Sequence, residues 1–203
     1  MKKTGIQSFL ITLTFVSFII AAGCSTRVAR LDVIETVDLS GRWNDTDSRL
    51  VAEAVIEQCL DSKWHTIFQG KHGKNPVIIV GKISNKTMEH INVETFTKDL
   101  EKAMLNSGSI DIVASSDERI EVREERKDIQ KWASLDSMKE SGRETGADFM
   151  LKGVVNSIID EEKGEKVVFY QADLSLINLS DNSIMWVGQK KIKKFIKRPL
   201  FKF

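Results

Sequence analysis

Between Val168 and Leu176 the chain alternates: Val168, Tyr170, Ala172, Leu174 and Leu176 share one parity, with Phe169, Gln171, Asp173 and Ser175 between them. A period of two lines one face of a β-strand and scatters around a helix. Upstream, residues 149–158 (FMLKGVVNSI) read as a second strand. The EKGE segment at 162–165 supplies turn chemistry between the two, so the pair predicts a hairpin. Downstream, Ser180, Asp181 and Asn182 turn the chain again, into Ile184, Met185, Trp186 and Val187. That makes a third antiparallel strand.

The preceding residues supply helices and parallel strands. Asn44, Asp45, Thr46 and Asp47 carry N-cap chemistry, and Leu50, Val51, Ala54, Val55 and Cys59 follow at the spacing of one helix face, predicting a helix near 45–62. Residues 63–75, with Gly70 and Gly73, read as a polar connection. The unbroken β-branched run between Pro76 and Gly81 suits a strand covered on both faces, which implies helices on both sides of the sheet. Asn92 is placed to cap a helix whose apolar positions are Val93, Phe96, Leu100, Ala103 and Met104, with Gly108 past its end. Residues 110–114 form a short strand, 117–131 a charge-dense solvated helix, and 135–145 a weaker helix ended by Gly146. This order predicts one α/β (α+β) domain over 40–198, a mixed sheet flanked by helices and ending in the antiparallel meander, with 199–203 as a tail.

The segment 1–23 is different material. Lys2 and Lys3 precede an uncharged apolar run from Phe9 to Ala22 (FLITLTFVSFIIAA), too short to span a bilayer and suited to a removable export signal. Ala21, Ala22 and Gly23 stand directly before Cys24 and resemble the lipobox of bacterial lipoproteins, with Ala21 where Leu is common. That resemblance implies lipidation of Cys24 and, with Ser25 following, anchoring to the outer membrane. Several acyl chains hold a protein on a membrane far more firmly than one. Residues 24–39 then form a lipidated tether whose roughly 15 residues reach about 50 Å fully extended. With Cys24 acylated, Cys59 is the remaining thiol in an oxidising compartment and is expected to be buried in its helix.

Composition excludes several classes of function. Thirty Lys and Arg stand against 29 Asp and Glu, and cleavage before Cys24 leaves 28 against 29, so no global basic field calls for nucleic acid. No nucleophile elbow, P-loop, H-E-x-x-H or G-x-G-x-x-G occurs. His65, His72 and His90 fall on separate predicted loops, and Asp45 with Asp47 reads as helix-cap chemistry. No catalytic residue, metal ligand, cofactor or small-molecule substrate is therefore expected. The Glu and Arg residues at 118–127 read as i,i+4 pairs on an exposed face. The KKIKKFIKR run at 190–198 reads as a solvated final strand whose lysines guard a sheet edge, with anionic lipid or an acidic partner as the alternative contact. Arg42, Trp43 and Asn44, at the start of the first helix, are the candidate partner-binding residues, because an exposed Trp and Arg suit a hot spot. The competing reading packs Trp43 onto the helix.

Five segments in order, SGRWNDTDS (40–48), VGKISNKTMEHI (80–91), REER (123–126), GADFMLKG (146–153) and YQADLSL (170–176), resemble the LpoB-type lipoproteins that activate penicillin-binding proteins. The resemblance covers 38–198. It implies a domain similar to the N-terminal domain of TolB, facing the periplasm, that binds a class A (bifunctional) penicillin-binding protein and stimulates peptidoglycan synthesis with no chemistry of its own. The enterobacterial type carries a long Pro-rich tether, whereas this chain has no Pro before Pro76. A rival class is a structural or secretion-pore lipoprotein related to curli-secretion components. Lys152, Gln171 and Asp173 break the continuous lipid face that its membrane-spanning strands need.

Overall fold

The computed structural model describes residues 28–32, 34–132 and 144–197. Two units divide the chain, Met1–Glu35 and Thr36–Phe203. In the first, Val28, Leu31 and Ile34 are exposed, and a turn closes from the Glu35 N–H to the Asp32 carbonyl at 3.0 Å. Cys24 and the tail at 199–203 lie outside the described residues, as do residues 135–143 of the weaker helix expected over 135–145; Glu144 and Thr145, at its end, are not helical.

The second unit follows helix α1 (Asp45–Leu60), α2 (Lys63–His72), strand β1 (Val77–Asn85), α3 (Val93–Asn106), β2 (Asp111–Ile112), α4 (Ser116–Trp132), β3 (Phe149–Glu162), β4 (Glu165–Asn178) and β5 (Ile184–Lys197). One five-stranded sheet runs in the order β2-β1-β3-β4-β5. β1 is parallel to β2 and β3, and the β3–β4–β5 meander is antiparallel. The expected mixed α+β sheet with a terminal meander is the observed fold. Lys163 and Gly164 turn the hairpin with φ of 48° and 83°. Positive φ at both central residues is the tight-turn geometry that matches strand twist.

Register builds the core. Val80, Leu151, Leu176 and Trp186 stand opposite one another across four strands. On the same face lie Ile78, Phe149, Val155, Ala172 and Leu174. α1 buries Val51, Ala52, Val55, Ile56 and Cys59 against this surface, and α3 buries Phe96, Leu100 and Met104 at i,i+4 spacing. Both are single helix faces, and burying them is what stabilises helices of this length.

Residues 63–72 correct the expected polar connection. They form α2, held by Trp64 and Phe68 one turn apart, whose rings meet Phe149 edge-on at 5.2 and 5.3 Å. The Trp64 indole N–H at 2.8 Å and the Ser62 hydroxyl at 2.7 Å both donate to the Cys59 carbonyl at the end of α1. Gly73, at φ 63°, closes the helix in the left-handed cap conformation. A single pair of apolar anchors in so short a helix is too little to show as a periodicity.

Coverage of the sheet is uneven. α1, α2 and α3 share one face and one core cluster. The β2-to-β3 connection carries α4, whose Glu118 reaches Lys98 of α3 at 2.7 Å, and the second face of the sheet is the one turned away from α1, α2 and α3. There Val77 and Ile79 of β1 are buried outside the main cluster, while α4 buries none of its own residues. Beyond β3 that face is open, with Ile158, Val187 and Phe195 exposed at 67%, 66% and 63%. Burial on both faces, as expected, holds for Val77–Val80 of β1 and stops there.

Candidate partner-binding surface

Residues 38–44 form a strap that carries the chain onto the sheet. Gly41 is buried at φ 66°, its N–H donates to Asp38 Oδ1 at 3.1 Å, and a Cβ there would collide with the Ile196 side chain. The turn delivers Trp43 edge-on to Tyr170 (5.6 Å) and Phe96 (6.0 Å). Trp43 is half-buried, and Arg42 beside it is exposed, its guanidinium without a partner among the described residues.

Beneath Trp43 lies Glu89. Its Oε2 accepts the Tyr170 hydroxyl at 2.7 Å and the Trp43 backbone N–H at 3.2 Å. The loop after β1 fixes it: Asn85 Nδ2 and Thr87 Oγ1 donate to the Glu89 carbonyl at 2.7 and 3.1 Å. Burial, then the hydrogen bond and charge of Glu89, push the Tyr170 hydroxyl well above the ordinary phenol range, so it remains a neutral donor.

Asn44 and Asp47 cap α1 reciprocally. Asn44 Oδ1 accepts the Asp47 N–H and Asp47 Oδ2 accepts the Asn44 N–H, both at 3.0 Å. Asn44 Nδ2 also donates to the Val37 carbonyl at 3.4 Å. The side chain of Asn44 is therefore engaged at both ends, and it serves the surface by fixing the strap. Lys194 reaches across from β5 to Asp47 Oδ2 (2.6 Å), Asp38 Oδ2 (2.8 Å) and the Arg42 carbonyl (3.1 Å). Its side chain is 10% exposed and that of Asp47 7%. Burial works to lower the Lys194 pKa, but the hydrogen bonds and charges of the two carboxylates outweigh it, so the net shift is upward.

Arg42, Trp43 and Asn44 thus lie together on one strap. Glu89, Tyr170 and Lys194, which organise it, are additions from the structure. Inward parity marks Tyr170 in the sequence; nothing local marks Glu89 or Lys194. Other expectations change. His65 and His72 both lie on α2 rather than on separate loops: His65 is buried with Nε2 3.1 Å from the Ser109 carbonyl, and His72 stacks on Phe68 at 4.4 Å. Among the described residues no three metal-ligating side chains cluster, and no helix is long and apolar enough to cross a membrane. The charges of α4 pair mainly outside their helix, Glu118 with Lys98 (2.7 Å) and Arg123 and Arg126 with Glu144 (2.8 and 3.3 Å), in place of the i,i+4 ladder.

The family profile described as "Peptidoglycan-synthase activator LpoB" matches residues 47–192, from the capping box of α1 into β5. Among solved structures, the chain is similar to the LpoB C-terminal domain from Escherichia coli (16% identity, 73% of this chain and 99% of that one, TM-score 0.43). It is likewise similar to the LpoB C-terminal domain from Salmonella enterica (16%, 73% and 99%, TM-score 0.41). A third similarity is to the NMR structure of E. coli LpoB (14%, 88% and 84%, TM-score 0.39). No curated protein matches.

Proposed function

We propose, since this chain belongs to the LpoB family of peptidoglycan-synthase activators, that it binds a class A penicillin-binding protein and raises its glycan-polymerising and cross-linking activity. The observation that carries this reading is the extent of the family match, which runs through every helix and strand except the very start of α1 and the end of β5. Activation by binding needs no chemistry of the activator's own. A ligand that prefers the synthase's active conformation shifts its population by the difference in affinity between the two states. Cys24 carries the lipid, residues 24–39 are the tether, and the domain at 40–198 faces the periplasm from the outer membrane.

The contact surface is the strap. Arg42 and the exposed part of Trp43 touch the synthase, and Asn44 holds them in place. Arg beside a half-packed aromatic ring is the composition of binding hot spots, which cost about 2 kcal/mol or more when truncated.

The test is glycan-chain polymerisation by the class A synthase of the same organism, with and without the purified chain. Saturable, several-fold acceleration by the native chain, with Arg42→Ala needing at least about 30-fold more protein for half the effect at unchanged melting temperature, is the expected result. No acceleration by a folded preparation refutes activation. Full acceleration by Arg42→Ala and Trp43→Ala moves the contact off the strap.

A further inference from the structure

We propose that the edge of the sheet formed by β5 docks on anionic lipid head groups, and that the strap turns this edge toward the membrane. The proposal rests on the reading that Cys24 is lipidated.

β5 is the last strand of the sheet, and among the described residues no backbone hydrogen bond closes its outer side. Positions 191, 193, 195 and 197 point to the open face and read Lys, Lys, Phe, Lys, all exposed, Phe195 at 63%. Lys190, Lys191 and Lys193 have no hydrogen-bond or ion-pair partner among the described residues. They lie within about 10 Å along one strand. An aromatic ring set among lysines with long apolar stems is the composition that settles at a lipid–water interface.

The acids nearby do not cancel this charge. Glu165 and Lys197 pair at 2.9 Å and offset each other, and Asp173, which keeps its charge while accepting from the Gln171 and Gln189 amides at 2.9 and 2.6 Å, is a single acid against Lys190, Lys191 and Lys193. Asp160 and Glu162 stand on β3, with β4 between them and the edge. The edge is basic while the open face as a whole is mixed.

Lipid is selected over an acidic protein segment by where the tether joins. Asp38 is held by Lys194 of β5, and Gly41 packs against Ile196. The strap packs on the inward side of β5, at Lys194 and Ile196, and so joins the tether to the same edge strand that bears Lys193, Phe195 and Lys197 on its other side. Only the short segment 25–37 separates Cys24 from Asp38. A flexible link of that length has an r.m.s. span of about 20 Å, so anchoring at Cys24 holds this edge at high effective concentration against the bilayer. Each lysine brought to an anionic surface contributes about fivefold, and three about a hundredfold, falling away at high salt.

The experiment floats the full chain, as isolated from bacterial membranes, with vesicles of phosphatidylcholine alone or with a third of phosphatidylglycerol, and maps lysine reactivity toward an amine-labelling reagent. Expected is flotation with both, and in the anionic vesicles alone a protection of Lys190, Lys191, Lys193 and Lys197, reversed by high salt, while Lys63 on α2 labels equally throughout. In Lys190→Glu/Lys191→Glu/Lys193→Glu, protection of Lys197 is lost while flotation persists. Flotation with anionic vesicles only, sensitive to salt, supports the contact and removes the anchor. Flotation with both and no protection overturns the contact and leaves the anchor. Flotation with neither overturns both, and protection that arises only when the synthase is added assigns the edge to a protein partner and overturns the lipid contact.

Discussion

Replacing Lys194 by Met keeps the stem that crosses from β5 to the strap and deletes the charge at its end. The carboxylate of Asp47, 7% exposed, then loses a counter-ion 2.6 Å away. Breaking a buried pair from one side costs about 3–5 kcal/mol, because the remaining charge stays desolvated. Two features pull the expected loss to the low end. Asp47 still accepts the Asn44 N–H and sits at the positive end of α1. Asp38, 38% exposed, returns to water at little cost. The expected loss is about 3 kcal/mol, or about 6–12 °C in melting temperature for a domain of this size. The assay is urea and thermal unfolding followed by circular dichroism. Lys194→Met/Asp47→Asn should recover part of the loss, since no buried charge is then left unpaired. Lys191→Met, nearby on β5 and exposed, should change stability by less than about 0.5 kcal/mol. If Lys194→Met behaves like Lys191→Met, the strap is not held by this ion cluster. The alkaline limb gives the same test without mutation. The Lys194 pKa is raised in the fold, so its stabilisation is complete below the ordinary lysine value of 10.5 and is lost as pH rises through the folded value.

Tyr170→Phe leaves Glu89 Oε2 with the Trp43 N–H alone and should cost about 1.5–3 kcal/mol; a neutral substitution would mean that water satisfies Glu89 in the native fold. Gly41→Ala places a Cβ at positive φ and against Ile196, and a loss of about 1–3 kcal/mol in urea unfolding is expected; unchanged stability would show that the strap is not seated there. Burial pushes the Cys59 thiol up to about 12 from 9.0, and the thiolate is the reactive form, so iodoacetamide at pH 8 should label Cys59 at least about 100-fold more slowly in the native chain than in urea. Because burial penalises the thiolate, this group leaves stability unchanged below pH 9 and lowers it as pH rises from 9 toward 12. Equal labelling rates in the two states would place Cys59 at the surface.

Elements whose signals are local were legible in the sequence. Asn44 and Asp47 announce α1 by cap chemistry, Phe96, Leu100 and Met104 announce α3 by spacing, and the parity from Val168 to Leu176 announces the meander. α2 was not, because Trp64 and Phe68 acquire meaning only against Phe149, far along the chain. The candidate surface divides the same way. Arg42, Trp43 and Asn44 stand out as neighbours in the chain, whereas Glu89, Tyr170 and Lys194 join them only through the fold. In the lysine run, composition gives every residue the same reading. Pairing with β4 turns Lys194 inward while Lys193 faces out, and the partners that make an inward lysine tolerable, Asp38 and Asp47, lie at the opposite end of the domain's sequence. A buried cation of this kind has no local signature.

The order of the strands also sets a sequence of events for a chain made from its N-terminus. Val51, Val55, Cys59, Phe96 and Leu100 emerge first, and the surface that shelters them, Leu151, Val155, Ala172, Leu174 and Leu176, begins only with β3. The meander closes quickly because its contacts are local, while the β1–β3 pairing joins Ile78 to Phe149 and waits for a long loop to close. Until β3 arrives, α1 and α3 have only each other and the β1–β2 pair to pack on and much of their apolar face stays uncovered, so a chain released before Phe149 is expected to aggregate.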